Sequence, residues 1–468
     1  MSRFRLKDRI KRSLLQLAIT AIVLFGASVY ATAQCGLPGT PPCGNVRNPP
    51  RRPPASPPPR VHLPSRPKSA GSQSSQVQQS SGAVARSNGR SAAPRFNAAG
   101  IVQVERGELE AAIALFTKAI EADSDFVVAY WYRGDARKQR NDYDGAIEDF
   151  KKVVEIDPTY GNAYASLGYA YTTIGELDAA AAAYSKAIEV GSDSTVLDLQ
   201  NRGNVYRGSS NPSAAIDDYS RAIQLGPQNF KAYTLRGLAY ADLKDFQKAL
   251  ADYDKALELN PNYLEAKKAR DDALGAQADY TAKISKYSAQ ISGDPNNATA
   301  YFDRGNVYRE NLEYDRAISD FTEAITRTPQ NPYAYLNRGI AFHAKRDYAS
   351  ALADFAKAIE QNPQAPDPYY RRGAVYFDQG NLDLAISDFS SAVQISQRYA
   401  DAFFKRGMAY FQKGNFEAAA SDITKCTELW PKDPKVYRQL ALIHDAMGQK
   451  DQAAIDRRKA REIYMGNQ

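Results

Sequence analysis

Arginine and aspartate recur along this chain at spacings suited either to binding an anionic ligand or to forming ion pairs. Seven segments carry an Arg directly before a Gly and an Asp sixteen residues after that Arg: Arg133 and Asp149, Arg202 and Asp218, Arg236 and Asp252, Arg304 and Asp320, Arg338 and Asp354, Arg372 and Asp388, Arg406 and Asp422. Where Leu167 replaces the arginine, Ala183 replaces the aspartate, which indicates that the two positions are in contact. Two other segments break the rule, because Arg270 is followed sixteen residues later by Lys286, and Leu440 by Asp456. Because each arginine has a carboxylate partner in its own segment, we interpret the pairs as structural rather than as a column of ligand-binding arginines.

The residues that enzymes use for catalysis do not form a recognisable motif. The sequence contains no P-loop, G-x-S-x-G, H-E-x-x-H or G-x-G-x-x-G segment. Its three histidines and three cysteines are scattered, so no Cys/His cluster is available for a metal. Cys35 and Cys43 could close a small loop in an oxidising compartment, whereas Cys426 stands where other segments carry Ala324 or Ala358 and is predicted to be a buried filler. We therefore expect a non-catalytic protein without a cofactor or metal.

The arginines and aspartates are positioned by a 34-residue repeat. Its most regular marker is a glycine, at positions 134, 168, 203, 237, 305, 339, 373 and 407. Each repeat has two stretches with apolar residues every three or four positions, which is typical of two amphipathic helices. Gly305 and Tyr308 share a face of the first helix, Ala317 and Phe321 share a face of the second, and Pro329 ends the repeat. Two helices cross closely only where neither side chain is large, so Gly305 is expected to face Ala317.

This arrangement of aromatic, Gly, Tyr, Ala, aromatic, Ala and Pro residues resembles the tetratricopeptide repeat, over residues 93–467. The resemblance implies an all-α fold, a right-handed superhelical solenoid of about eleven helix-turn-helix units. Each unit buries its core against its neighbours. The N-terminal sequence makes the chain similar to exported bacterial members of that family.

One repeat, residues 264–297, keeps the period but loses the close crossing. It has Asp271 in place of the glycine and Lys283 in place of the alanine. We predict a splayed, degenerate unit that separates a first sub-array, 93–263, from a second, 298–467, which ends in a polar cap. The alternative is that Asp271 and Lys283 pair across a wider crossing.

The first helix of each repeat also has a face that does not pack within its unit. The resemblance implies that this face lines a concave groove for peptides or partner helices. From residue 298 onward it is rich in aromatic and polar residues, and we predict a partner-binding groove made of Phe302, Asn306, Arg309, Asn337, Tyr370, Phe377, Phe404 and Phe411. The alternative is that some of these rings pack between adjacent first helices.

Residues 1–33 read as an export signal. Six basic residues precede an apolar run from Leu14 to Tyr30, and Ala31-Thr32-Ala33 then predicts cleavage before Gln34. The alternative is an uncleaved anchor, because 17 apolar residues are just enough to span a bilayer. Either reading places the repeats outside the cytoplasm, in the periplasm or facing it from the inner membrane.

Residues 34–92 are rich in Pro, Ser, Gly and Arg and are predicted to form a disordered linker. Residues 1–100 hold 15 of the 60 basic residues and one acid, so the net charge of +7 belongs to this part of the chain. The linker either contacts an anionic membrane or envelope polymer or is simply solvated. The repeats themselves are acidic overall, which argues against nucleic-acid binding.

These features predict a scaffold that binds proteins or peptides outside the cytoplasm. The alternative function is a factor for export or assembly of an envelope polymer, because aromatic residues can also stack on sugars.

Overall fold

The computed structural model of the protein describes residues 81–466, which contain 21 α-helices and no other regular structure. By their contacts these residues form two compact units, one ending at Arg202 and the other beginning at Gly203. The first unit contains α1 (Ser81–Glu105), α2 (Leu109–Ala122), α3 (Val127–Gln139), α4 (Tyr143–Ile156), α5 (Gly161–Thr173) and α6 (Leu177–Val190). Helix α7 (Thr195–Gly208) begins in the first unit and ends in the second. The division therefore does not fall at residues 264–297, where the sequence places a break.

The second unit continues with fourteen helices. They are α8 (Pro212–Leu225), α9 (Phe230–Asp242), α10 (Phe246–Leu259), α11 (Leu264–Gly293), α12 (Ala298–Glu310), α13 (Tyr314–Arg327), α14 (Pro332–Ala344), α15 (Tyr348–Gln361), α16 (Pro366–Asp378), α17 (Leu382–Ile395), α18 (Ala400–Gln412), α19 (Phe416–Leu429), α20 (Pro434–Ala446) and α21 (Lys450–Gly466). In chain order, every helix except α11 belongs to a helix-turn-helix unit. The predicted all-α repeat is confirmed, and its superhelical path stays a prediction.

In nine of the ten described helix pairs, an aromatic or aliphatic side chain of the second helix lies over a glycine of the first, whereas the pair of α20 and α21 has no glycine at the crossing. A Cβ atom on Gly305 would lie 2.8 Å from Cε1 of Phe321, and one on Gly373 would lie 2.9 Å from the ring of Phe389. Ala317, on the second helix of the same pair as Gly305, is fully buried. The small residues of the repeat thus create the space into which the ring packs, and the predicted approach of Gly305 to Ala317 stays a prediction.

The turn inside each unit depends on a single residue with positive φ, and this residue recurs with the period of the repeat. These residues are Gly107, Asn141, Gly175, Ser210, Lys244, Leu312, Arg346, Gly380, Gly414 and Gly448. A left-handed backbone costs a residue with a Cβ atom roughly 1–2 kcal/mol, whereas glycine adopts it freely. Leu312, with φ of 61°, is the least suited of the ten to this conformation.

We expect Leu312→Gly to raise the free energy of unfolding by about 0.5–1 kcal/mol. The substitution relieves the left-handed strain, and the greater freedom of glycine in the unfolded chain offsets part of the gain. The converse change, Gly380→Leu at φ of 77°, should lower stability by a similar amount. Urea titrations followed by circular dichroism measure both, and equal midpoints for the two variants and the parent would contradict this account of the turn.

Helix α11 corrects the prediction for residues 264–297, because the degenerate unit does not form two splayed helices. It is one continuous 30-residue helix. Ala278, which holds the register of Leu312 one period earlier, lies inside this helix. Without a glycine at 271 to anchor a crossing, the high helix propensity of the Ala-rich centre prevails over the turn. Lys283 forms an ion pair with Asp279 one turn away, at 2.7 Å, rather than with Asp271.

The Arg–Asp pairs are confirmed as structural ion pairs. Six of the seven lie within one compact unit, and all six have nitrogen–oxygen distances of 2.7–2.8 Å, with each aspartate at most 8% exposed. The same guanidinium often donates to a hydroxyl on the second helix of the preceding repeat. These contacts span 2.9–3.2 Å and join Arg133 to Thr117, Arg202 to Ser185, Arg236 to Ser220, Arg304 to Ser288, Arg338 to Thr322 and Arg406 to Ser390.

The N-terminal boundary of the helical region also differs from the prediction. Helix α1 begins at Ser81, inside the range 34–92 that the sequence assigns to a disordered linker. Four alanines and two arginines between residues 83 and 93 favour a helix there. The predicted signal, its cleavage site and both linker cysteines lie outside the described residues.

Two further findings concern the described residues. Cys426 is fully buried, with its sulfur 3.5 Å from the carbonyl oxygen of Ala400, and burial raises its pKa to about 12. This confirms its predicted role as a small core residue. Among the helices of residues 81–466, none combines the length and apolar composition that crossing a membrane requires.

Candidate functional site

The candidate site lies on four successive first helices of the second unit, α12, α14, α16 and α18. Helices α12, α14 and α16 each contact the next first helix, and all four pack on the second helix of their own unit. We call the surface formed by the side chains of these four helices that do not pack in the core of their own unit the first-helix face. It comprises the eight predicted groove residues together with Asp303, His343, Asp367, Arg371, Asp378, Asp401 and Lys405.

The predicted aromatic residues of this face are half-buried rather than freely exposed. The ring of Phe302 lies 5.8 Å from that of Phe321, and the ring of Phe411 lies 5.5 Å from that of Phe416. Each pair joins the first and second helices of one unit. Phe302 and Phe411 thus pack on the second helix of their own unit. Part of each ring supports the core and part faces outward.

Two further rings, those of Phe404 and Tyr370, contact aromatic residues of their own unit or of the next one. Phe404 lies 6.5 Å from Trp430, centroid to centroid. Tyr370 contacts Phe389 of its own unit at 5.9 Å and Tyr399 before α18 at 5.1 Å. Burial raises the pKa of Tyr370 to about 12, so this hydroxyl stays protonated at neutral pH.

The predicted polar residues Asn306, Arg309 and Asn337 are also half-buried. The amide of Asn337 donates to the carbonyl oxygen of Tyr333, one turn earlier in α14, at 3.0 Å. The Arg309 side chain is 12% exposed and lies 3.9 Å from the carboxylate of Glu310. Burial lowers the pKa of Arg309, and the nearby positive charge of Arg371 adds to this effect. Arg309 and Arg371 therefore repel each other electrostatically, although one repeat lies between the repeats that contain them.

The face also holds charged residues that sequence reasoning missed. The hydroxyl of Tyr399 donates to the carboxylate of Asp367. The ammonium of Lys405 lies 5.0 Å from the centre of the Phe377 ring. His343 of α14 hydrogen-bonds Asp378 of α16, with 2.9 Å between Nε2 and Oδ2. These contacts join neighbouring repeats through their first helices.

Burial changes the acidity of two of these groups in opposite directions. It raises the pKa of the Asp401 carboxyl, an effect that Arg371 partly offsets. It lowers the pKa of Lys405, against the opposing influence of Asp378 and Asp401. The face therefore holds both signs of charge in partly dry surroundings, where interactions with a ligand are stronger than in water.

A signal for these charges was present in the sequence. The position directly before the ion-pair arginine is Asp303, Asn337, Arg371 and Lys405 in four successive repeats. A polar residue recurring at one helical register next to a buried one indicates a shared surface. Of these four residues, only Asn337 is among the residues that the sequence predicts for the groove.

Comparison with known proteins identifies the repeat. Profiles described as tetratricopeptide repeat or TPR repeat match residues 134–175, 161–190, 203–244, 230–263, 272–332, 302–366, 373–414 and 400–433. Together they span more than half of the chain. No curated protein sequence matches significantly.

Several solved structures are similar to parts of this chain. MamA from Desulfovibrio magneticus RS-1 is 22% identical, with 36% of this chain and 94% of MamA covered and a TM-score of 0.34. Yeast Tom70 is 15% identical over 78% of this chain and 90% of its own, with a TM-score of 0.33. YrrB, described as a TPR protein with an unusual peptide-binding site, is 24% identical over 46% of this chain and 92% of its own, with a TM-score of 0.27.

Proteins built from this repeat bind other proteins or peptides and are typically non-catalytic scaffolds. Both compact units contain the same features: glycines that make room for a side chain at the helix crossing, turns with one residue of positive φ, and matches to tetratricopeptide repeat profiles. The chain belongs to the tetratricopeptide repeat family.

Proposed function

We propose that this protein is a non-catalytic scaffold that binds peptides or partner proteins on the first-helix face of α12, α14, α16 and α18. The observation that carries the proposal is the position of Arg371, Asp401 and Lys405, which are half-buried between first helices. Charges that are partly withdrawn from water interact more strongly with a ligand than fully solvated charges do. Charged residues at helix positions that could hold apolar packing residues are therefore candidates for ligand binding.

The ligand that fits this face best is an extended polypeptide carrying both acidic and basic side chains. Acids and bases alternate along α16 and α18, so each charge of the face can attract an opposite charge of the ligand. The half-buried rings of Phe377 and Phe404 offer apolar contact between them. Amide groups such as that of Asn306 have both donor and acceptor atoms for a peptide backbone.

Replacing Lys405 with methionine is expected to weaken peptide binding about tenfold or more. Methionine retains the packing on Phe377 but removes the charge, and loss of a buried contact at the centre of an interface costs upward of about 1.4 kcal/mol. A peptide selected on the parent protein from a random display library would be titrated calorimetrically against both proteins. The melting temperature of the Lys405→Met protein should not fall below that of the parent, because the substitution removes a buried charge.

The matched control for this experiment is Lys425→Met on α19. The side chain of Lys425 is 42% exposed and pairs with Glu428 on a second helix, away from the first-helix face. This variant should bind the peptide like the parent. Equal losses in both variants, or a loss only in Lys425→Met, would place the binding surface elsewhere. Selective binding of an envelope polysaccharide instead of a peptide would favour the polymer-assembly function.

We also propose that the scaffold acts outside the cytoplasm, on the strength of the basic residues, apolar run and Ala-x-Ala ending in residues 1–33. Expression with cell fractionation and N-terminal sequencing should yield a periplasmic protein that begins at Gln34. The full-length chain in the membrane fraction would indicate an uncleaved anchor. Full-length chain in the cytosol would contradict the location.

A further inference from the structure

A second surface rich in aromatic residues lies in the first compact unit, between the first helices α3 and α5. Trp131 of α3 lies 6.3 Å from Tyr160, directly before α5, between ring centroids. At the other end of α3, the ammonium of Lys138 lies 5.8 Å from the ring centre of Tyr169. Val128, one turn before Trp131, and Tyr169 are both 39% exposed. We call the patch formed by these five residues the Trp131 surface.

Trp131 carries a polar group that the described part of the chain does not satisfy. Its indole Nε1–H is buried and has no hydrogen-bond partner among residues 81–466. The same is true of Oδ1 of Asn97, a residue that is 6% exposed and stands one 34-residue period earlier, on α1. Leaving a buried donor or acceptor unpaired is costly, so a ligand group that pairs with it binds favourably. The second unit has aromatic or aliphatic residues at this register, namely Phe302, Leu336, Tyr370 and Phe404.

The chain's own linker contains sequences that suit such a surface. Pro-x-x-Pro occurs at residues 38–41, 50–53, 54–57 and 64–67. Pro-rich sequences favour the polyproline II helix, and Pro-x-x-Pro segments in this form dock on surfaces lined by aromatic residues. Proline has a carbonyl acceptor but no N–H, so such a segment offers acceptors to an indole donor.

The spacing of the Trp131 surface matches that of a Pro-x-x-Pro segment. One turn of polyproline II helix takes three residues and advances about 9 Å. Trp131 and Lys138 are seven residues apart in one helix, which is about 10 Å along its axis. Two prolines three residues apart can therefore contact the two aromatic ends of the surface together.

We propose that Pro64-Ser65-Arg66-Pro67 docks as a polyproline II helix on the Trp131 surface of its own chain. Of the four Pro-x-x-Pro sequences it is the closest to α1. The thirteen residues between it and Ser81 can span about 43 Å when extended. They have to return roughly 18 Å along α1 to reach Ala93, which packs in one cluster with Ala129 of α3. The proposal concerns the first unit and does not rest on peptide binding by the second.

Charge and attachment favour the chain's own linker over an unrelated partner. Residues 34–80 hold six basic residues and no acid, and residues 81–202 hold 13 basic and 18 acidic residues. Residues 203–468 are balanced, with 35 basic and 34 acidic. The attraction is to the first unit as a whole, because Lys138 on the surface itself pairs with Asp135 at 2.5 Å. A segment attached by a short linker also has an effective concentration in the millimolar range, which a free peptide rarely reaches.

Quenching of Trp131 by a nitroxide on the linker tests the contact directly. The chain has two tryptophans, so Trp430→Phe leaves Trp131 as the only one. In the full chain as cells process it, Ser65→Cys is labelled after both linker cysteines are changed to serine, and the fully buried Cys426 stays unlabelled. Trp131 emission should rise about twofold or more when ascorbate reduces the nitroxide, because an attached segment remains docked most of the time. Unchanged emission would overturn the proposal.

Two matched controls locate the contact. A label on Ser56→Cys, about 28 Å away along a polyproline II helix, should quench weakly. Tyr169→Ala should abolish quenching from position 65, whereas Tyr333→Ala, at a tyrosine of the second unit that is 52% exposed, should leave it unchanged. Stronger quenching from position 56, or equal effects of the two tyrosine substitutions, contradicts the proposed site. Quenching lost on dilution from about 50 to about 1 µM would assign the segment to a second copy, because docking within one chain does not depend on concentration.

A measurement on the unsubstituted chain does not depend on how the variants fold. Trypsin cleaves after Lys68, next to the docked segment, and after Arg47, which is distant from it in sequence. Each initial rate is divided by the rate at the same bond in a synthetic peptide of residues 40–75. The relative rate at Lys68 should be about tenfold below that at Arg47, since cleavage requires the segment to leave the surface. Equal relative rates would show that residues 64–67 are not docked.

Discussion

Removing the carboxylate of Asp422 should lower the free energy of unfolding by about 3 kcal/mol. This carboxylate is 7% exposed and accepts two hydrogen bonds from Arg406, each at 2.8 Å. Asp422→Ala leaves the guanidinium between two helices without its partner, and stranding a buried charge typically costs about 3–5 kcal/mol. The lower value applies because the arginine is 17% exposed. Urea unfolding can be followed through Trp430, directly after α19, in a Trp131→Phe background.

The matched control is Asp383→Ala, which removes an acid of α17 that is 86% exposed and paired with Lys413. An exposed pair contributes at most about 1 kcal/mol, so this variant should unfold close to the parent. The double variant Arg406→Met with Asp422→Leu should recover much of the loss, because apolar residues can replace a buried pair at little cost. Equal effects of the two single substitutions would show that the buried pair contributes no more than a surface contact.

A single methyl group at a crossing glycine is the second change with a large expected effect. In Gly373→Ala the added Cβ would lie 2.9 Å from two ring carbons of Phe389 and 3.1 Å from Cβ of Asp388. Since both neighbours are buried, the helices must separate or the ring must leave its rotamer, at a cost of about 1–3 kcal/mol. We expect the melting temperature to fall accordingly in differential scanning calorimetry.

The same substitution should change stability in the opposite direction at Gly275. This glycine lies inside α11, where an added Cβ has no neighbour within 4 Å. Alanine is the better helix former by roughly 0.5–1 kcal/mol, so Gly275→Ala should raise stability. If Gly373→Ala is as stable as the parent, the glycine-on-ring contact is not what fixes the helix crossing.

The repeat and its ion pairs were predictable because the same residues recur at the same spacing many times along the sequence. The joint loss of Arg and Asp at Leu167 and Ala183 was enough to predict contact, and six pairs confirm it. The form of residues 264–297 was not predictable in the same way. The loss of glycine at 271 shows that a crossing is absent, but two helices splayed apart and one straight helix both satisfy that condition. Local helix propensity around Ala278 decides between them.

The candidate site was only partly predictable, for a different reason. The register of a helix tells which residues share a face, and it placed Phe377 and Tyr370 correctly on the first helices. It does not tell which side chain of the next repeat lies over them. The position of Lys405 above Phe377 depends on the distance between two first helices, which the sequence of either one does not contain.

The hydroxyl contacts between repeats have a consequence for how the array opens. Within the C-terminal half of the chain, an arginine reaches back to the preceding repeat at Ser288, Thr322 and Ser390, but Ala356 stands at this position before Arg372. In a linear array each interface contributes separately to cooperativity. The junction between α15 and α16 thus lacks a hydroxyl contact that the junctions on either side of it have, and we expect it to transmit order less well than they do. Amide protons of the residues after α15 should therefore exchange as a separate group. Local opening of the C-terminal repeats should have little effect on amide exchange in the repeats before α16.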